Sequence, residues 1–179
     1  LLNGYSPSTF SVERAEAAGQ VPVNSRVIVR APYVEFDMKN LMGVYYINAS
    51  GAWYFAGLKV YRISEHVSWW DRSMRDTLKI DTESLDKACG VYLPDVSRVM
   101  WSVPMKGPGL VSDGKNNRLI VYDLKDKSWL GPYSLTLSVV SVLSTKAGAG
   151  LVLGADHDGR ILRLFDPDSR LDVSTVING

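Results

Sequence analysis

Two stretches decide how this chain is read. One is Arg118-Leu119-Ile120-Val121-Tyr122-Asp123-Leu124-Lys125-Asp126-Lys127-Ser128-Trp129, and the other is Gly154-Ala155-Asp156-His157-Asp158-Gly159-Arg160-Ile161-Leu162-Arg163-Leu164-Phe165-Asp166-Pro167-Asp168-Ser169. Each holds a short apolar strand that runs into Asp and a polar turn. Val121-Tyr122-Asp123 returns in degenerate form as Leu164-Phe165-Asp166, a spacing of about 43 residues, which is the length of one multi-stranded propeller blade. Such units are scaffolds, and nothing in this strand-and-turn grammar is itself a catalytic site.

Working outward, the same grammar covers most of the chain. Arg26-Val27-Ile28-Val29-Arg30 reads as a strand, with Pro32 limiting its ladder. Gly43-Val44-Tyr45-Tyr46-Ile47, Ala52-Trp53-Tyr54-Phe55 and Lys59-Val60-Tyr61-Arg62-Ile63 read as a meander, turning at Asn48-Ala49-Ser50-Gly51 and Gly57-Leu58. Further strands are expected over 88–93, 98–103, 118–123, 135–143, 150–154 and 160–165, with a Gly- and Pro-rich loop over 104–117. Turn signals recur every ~8–12 residues, the pattern of an all-β sandwich, barrel or propeller. The fold class expected is therefore all-β, with antiparallel meanders of short strands arranged as propeller-like blades.

One segment breaks the pattern. Val67, Trp70, Met74 and Leu78 stand at helical spacing, with Ser64 placed to cap and Glu65 in the first turn. A short helix is expected over 65–78. Residues on a helix turn ~100° per position, so if Trp70 faces inward, Trp69 faces sideways. Trp69 is the candidate interface anchor. Residues 1–24, polar and rich in small side chains, read as an arm or linker ahead of a β domain over 25–179. The chain starts Leu1-Leu2-Asn3 and ends within a strand-like run, which reads as a piece of a longer polypeptide.

Composition excludes several classes. The 20 basic and 19 acidic residues leave a net charge of +1, with no footprint for non-specific nucleic-acid binding. No stretch reaches the ~18 apolar residues of a membrane span. The single cysteine, Cys89, stands in an apolar run far from His66 and His157 and reads as a small core residue. Asp156-His157-Asp158-Gly159 begins like a calcium loop, but Pro167 stands where the twelfth-position Glu belongs. It reads as a tight hairpin with Gly159 at positive φ. Ser84-Leu85-Asp86-Lys87 lacks the partner motifs of the penicillin-binding enzymes, and Asn48-Ala49-Ser50 is an isolated glycosylation sequon. Asp113 and Asp156 are the acids that a glycan-processing cleft would draw on, and both stand in turn sequences. The five Trp and nine Tyr fit either the packing between sheets or a sugar-binding face.

The order of elements resembles a family of bacteriophage virion proteins. The residues that carry the resemblance are Gly51-Ala52-Trp53-Tyr54-Phe55 with Val60-Tyr61-Arg62-Ile63-Ser64, then Val99-Met100-Trp101-Ser102-Val103-Pro104, then Asn117-Arg118-Leu119-Ile120-Val121-Tyr122-Asp123 with Trp129, and finally Leu153-Gly154-Ala155-Asp156-His157-Asp158-Gly159-Arg160-Ile161. It covers roughly 41–166. The family includes propeller-bearing tail nozzle, tail hub and packaged-DNA stabilisation proteins. The resemblance implies a non-enzymatic structural role in the virion, as a ring around the DNA channel. It implies other virion proteins and copies of itself as partners, passing contact with DNA, and no cofactor or metal. A carbohydrate-binding or glycan-processing propeller is the alternative.

Overall fold

The computed structural model describes residues 2–3, 11–12, 27–30, 42–56, 59–71, 73, 77–110, 113–144, 150–165 and 173–177. The strands are β1 (Leu2–Asn3), β2 (Ser11–Val12), β3 (Val27–Arg30), β4 (Met42–Asn48), β5 (Gly51–Ala56), β6 (Lys59–Arg62), β7 (Lys79–Ile80), β8 (Cys89–Leu93), β9 (Arg98–Val103), β10 (Met105–Lys106), β11 (Arg118–Asp123), β12 (Ser128–Tyr133), β13 (Val139–Ser144), β14 (Gly150–Ala155), β15 (Ile161–Leu164) and β16 (Val173–Ile177). The protein is all-β and antiparallel. Three consecutive four-stranded sheets follow one another along the chain: β3-β4-β5-β6, β8-β9-β11-β12 and β13-β14-β15-β16. The remaining strands form two small pairs, β1 with β2 and β7 with β10. The expected arm over 1–24 is described only where β1 and β2 pair; the rest of it lies outside the described residues.

The second sheet is the centre of the molecule, and its sequence shows why. A strand covered on both faces loses the polar alternation of a half-solvated one and reads as a continuous apolar run. β9 and β11 are such runs. Val99, Trp101, Val103, Ile120 and Tyr122 point to the first sheet. Their neighbours Met100, Leu119 and Val121 point to the third. Each large side chain buried this way contributes about 1.5–3 kcal/mol. The first strands of the sheets come together, because β8 lies beside both β3 and β13.

The repeat seen in the sequence has a counterpart at its first residue only: Tyr122 lies within β11, whereas Phe165 follows β15 at φ +55°, and Asp166 lies outside the described residues. Val121 lies in β11 and Leu164 ends β15, the third strands of consecutive sheets. Most expected strands are present within a residue or two. The segment over 124–143 differs. The expected strand over 135–143 is shorter and later, as β13, and β12 precedes it. Gly131-Pro132 hides β12 from a pattern reading, since Pro is tolerated there only because β12 is an edge strand. The register between β11 and β12 shifts at that point.

The helix expected over 65–78 is not formed among the described residues. In its place stands one 3-10 turn, Ser68–Trp70. Ser64 does not cap it; its hydroxyl accepts the Ala52 N–H at 2.9 Å. Both tryptophans are held against the first two sheets, and that requirement overrides the helical spacing. Residues 72 and 74–76, including Met74 of the expected stripe, lie outside the described residues.

Candidate functional site

The aromatic residues gather around Trp129 at the start of β12. Its indole N–H donates to the Ile63 carbonyl at 2.8 Å. Its ring stacks on buried Trp101 with centroids 5.8 Å apart and lies 5.1 Å from Tyr122. Trp69 meets it edge-on at 5.6 Å and Trp70 at 6.0 Å, the offset and T-shaped geometries that ring quadrupoles favour. Trp70 donates its N–H to the Asn48 carbonyl at 3.0 Å. Segment 63–71 is thus tied to both sheets through indole N–H groups.

Trp69 and Trp70 line a cleft of about 320 Å³ together with Lys79, Ile80, Glu83 and Lys106. The β7–β10 pair builds its floor. Asn117 fixes β10 by accepting the Met105 N–H at 2.9 Å and donating to the Met105 carbonyl at 2.8 Å. Lys106 pairs with the buried Asp81 carboxylate at 3.1 Å, which also accepts the Glu83 N–H. The Trp69 indole N–H has no hydrogen-bond partner among the described residues. Indole faces beside ammonium and carboxylate groups can hold a flat or ring-shaped polar ligand. They equally suit a loop of another protein chain.

The other residues singled out by sequence lie elsewhere. The Asp156 carboxylate accepts the N–H groups of Asp158 and Arg160, both at 2.9 Å, and pairs with the Arg160 guanidinium at 2.6 Å. Burial works to raise its pKa, but these hydrogen bonds outweigh it and hold the carboxyl below its usual range. Asp113 accepts the Lys115 N–H in the same kind of turn. Both acids do local backbone work. Gly159 has φ +83°, as the hairpin reading requires. His157 places Nε2 3.2 Å from the Asn116 carbonyl. Lys87 donates to the Gly114 carbonyl at 2.7 Å. Asn48 of the sequon is buried, its side-chain oxygen accepting the N–H groups of Ser50, Gly51 and Trp53. Cys89 is buried, and that burial pushes its thiol pKa up. Among the described residues no three His, Cys, Asp or Glu side chains converge as metal ligands. No helix there is long and apolar enough to cross a membrane.

Sequence reasoning missed the outer side of the third sheet. Val139, Leu143 and Ile161 stand about half exposed there. The signal was present: Val139-Val140-Ser141-Val142-Leu143 is apolar at both strand parities, as expected of a sheet that buries both faces.

The class defined by this geometry is an antiparallel all-β protein of three successive four-stranded sheets, with an aromatic seam and a tryptophan cleft. No protein-family model, curated protein or solved structure matches the chain.

Proposed function

We propose that this chain is a non-enzymatic structural module of a phage virion, a propeller-like β domain of a tail nozzle, tail hub or head-to-tail connector that assembles as a ring around the DNA channel. The observation that supports the reading is the convergence of the sheets. β8 lies beside β3 and β13, so the first strands of three four-stranded meanders sit side by side, while the later strands of each sheet follow outward in chain order. Blades set around an axis would bring their first strands together in this way. The first residues of the roughly 43-residue repeat, Val121 and Leu164, fall on the third strands of two consecutive sheets. The phage assignment rests on the sequence resemblance over 41–166.

The mechanism in this reading is mechanical. The sheets hold one another through apolar seams, and turns and arms join neighbours. A net charge of +1 gives little counterion-release affinity, so DNA passes without being held. Trp69 contacts another part of a longer chain or another subunit, its indole N–H, which has no partner among the described residues, serving as the polar handle of an interface anchor. Electron microscopy of the full-length protein with its particle tests this reading: a ring at or below the portal is expected. Recovery as a free monomer absent from particles overturns it.

The cleft itself favours a second reading, a carbohydrate-binding propeller in a receptor-recognition device. Trp69 and Trp70 would supply the ring-stacking surface, and Glu83 and Lys106 the polar contacts. A glycan array read alongside quenching of tryptophan fluorescence decides this, and a clean negative in both removes it.

A further inference from the structure

The β7–β10 ladder sets two lysines side by side. Its register pairs Ile80 with Met105 and Lys79 with Lys106. Ile80 and Met105 are buried in the core between the first and second sheets. Successive residues of a strand point to opposite faces, so Lys79 and Lys106 share the other face. Both line the cleft with Trp69 and Trp70. Residues directly opposed on a ladder have Cβ atoms about 4.5–5.5 Å apart, and like charges there are destabilising. The core-side pair anchors the ladder, whereas the paired ammonium groups work against it. Asp81 offsets one of the two charges: its carboxylate is 6% exposed and takes Lys106 at 3.1 Å. The Lys106 side chain is still 48% exposed, and an ammonium has further N–H groups to give. An anion between the two lysines removes the repulsion.

We infer that the cleft binds an acidic sugar, a pyranose that carries a carboxylate, with that carboxylate held by Lys79 and Lys106. The inference rests on the carbohydrate reading of the cleft given above and adds the class of sugar to it. At about 320 Å³ the cleft stands at the small end of ligand pockets, a size for one ring. The indoles supply apolar faces for the ring C–H groups. The Trp69 N–H has no partner among the described residues and is a donor for a hydroxyl. The exposed Glu83 lines the cleft, and its carboxylate has no hydrogen-bond partner among the described residues. It is the acceptor that sugar hydroxyls need.

Lysines beside indoles also suit a phosphate and a base, as in a single strand of nucleic acid. Two observations favour the sugar. Glu83 repels the repeated phosphates of such a strand, and a net charge of +1 provides no wider basic track for it. The two indole planes are inclined at 45° with centroids 6.3 Å apart. They form a corner, not the parallel slot that sandwiches a base.

The test is a titration of the chain, read by tryptophan fluorescence and by saturation-transfer NMR. The probes are the methyl glycosides of glucuronic and galacturonic acid, N-acetylneuraminic acid, methyl glucoside, methyl galactoside, acetate and a short oligothymidylate. At least one acidic sugar is expected to bind roughly tenfold or more tighter than the neutral glycosides, with affinity falling as salt is added. Acetate alone is expected to leave the fluorescence unchanged. Lys79→Gln is expected to abolish the preference for the acid, and Lys79→Arg to keep it, with near-UV circular dichroism confirming that both fold. The comparison of acidic with neutral sugars on the wild type decides the matter even where a variant fails to fold. Acidic and neutral sugars bound equally well overturn the inference and leave the carbohydrate reading standing. No binding of any sugar overturns both. Oligothymidylate bound in preference to every sugar also overturns the inference and makes the cleft a nucleic-acid site.

Discussion

The second sheet is gripped on its two sides in different ways. Towards the first sheet the seam is aromatic. Tyr45 stacks on Tyr54 at 4.3 Å, and Trp69, Trp70 and Trp101 surround Trp129. Gly43 leaves the room that the Tyr54 ring fills. Indole N–H bonds to Ile63 and Asn48 fix the rings in register. Burial, followed by the neighbouring Tyr54, Tyr122 and Tyr92, pushes the Tyr45 phenol far above its ordinary range, so it stays neutral. Towards the third sheet the seam is aliphatic: Leu93, Met100, Leu119, Val121, Val140, Leu162 and Leu164. Aliphatic side chains carry no directional partner, so this seam is oriented by the linker instead. Ser102 donates to the Leu137 carbonyl at 2.7 Å, and Ser138 donates through N–H and hydroxyl to the Ala155 carbonyl at 2.7 and 2.9 Å. Leu137, fully buried, sits against Gly154, where a Cβ would come within 2.8 Å of its methyl carbon. The outer rim of this seam stays open as a groove of about 400 Å³ between Pro94 and Phe165. Rings fix geometry by shape and N–H bonds, whereas aliphatic faces need a pin from outside.

The largest effect is expected at the aromatic seam. Trp101 is fully buried and touches the ring that every other tryptophan of that seam meets, so Trp101→Ala should cost about 3–5 kcal/mol by urea unfolding. A loss under about 1 kcal/mol would break the comparison, because the seam would not depend on its rings. At the aliphatic seam Leu137→Ala removes the pin and should cost about 2–4 kcal/mol. Cys89 lies in the same seam, so Leu137→Ala should also speed its labelling by a small thiol reagent, while the wild-type protein stays unreactive until it unfolds. Fast labelling of the native wild type would show the second seam to be loosely closed.

Two smaller effects sharpen the picture at the margins. Gly159 has φ +83° and open space around it, so Gly159→Ala should cost about 1 kcal/mol through backbone strain alone. Calcium should leave the melting temperature where it is; a rise of several degrees would reassign the Asp156 turn as a metal loop. Asp123 closes the turn between β11 and β12, accepting the Arg98 guanidinium at 2.8 Å and the N–H groups of Lys125 and Asp126. The Arg98 hydrogen bond leads, and together these lower its pKa against the opposing effect of burial. A carboxyl depressed in the folded state stabilises the fold fully above its unfolded pKa of about 3.9 and loses that contribution as pH falls through the lower folded value. The stability gap between wild type and Asp123→Asn should therefore be constant near neutrality and close below about pH 4. A gap independent of pH down to full acid unfolding would mean that the turn does not use the charge.

The sequence by itself determined the class and most of the strands. Alternation, β-branched and aromatic enrichment, and Gly or Asx turns are local causes, and they fix local geometry. The hairpin at 156–160 was legible for the same reason, since Asp156 and Gly159 act within a few residues of each other. The buried reading of Cys89 was legible from the apolar run around it. What the sequence could not determine is anything set by distant partners. Helical spacing over 65–78 was real, but Trp69 and Trp70 gain more from Trp129 and Asn48 than a short isolated helix gains from its own hydrogen bonds. β12 lay hidden because only its edge position excuses Pro132. The cleft joins residues from four separated stretches, at 49, 69–70, 79–83 and 106, and no local pattern announces that meeting. The two-sided apolar run of β13 showed that both faces want cover. Only the tertiary structure decided which face the second sheet takes and which is left open, because the burial of a strand face depends on what the rest of the chain brings to it.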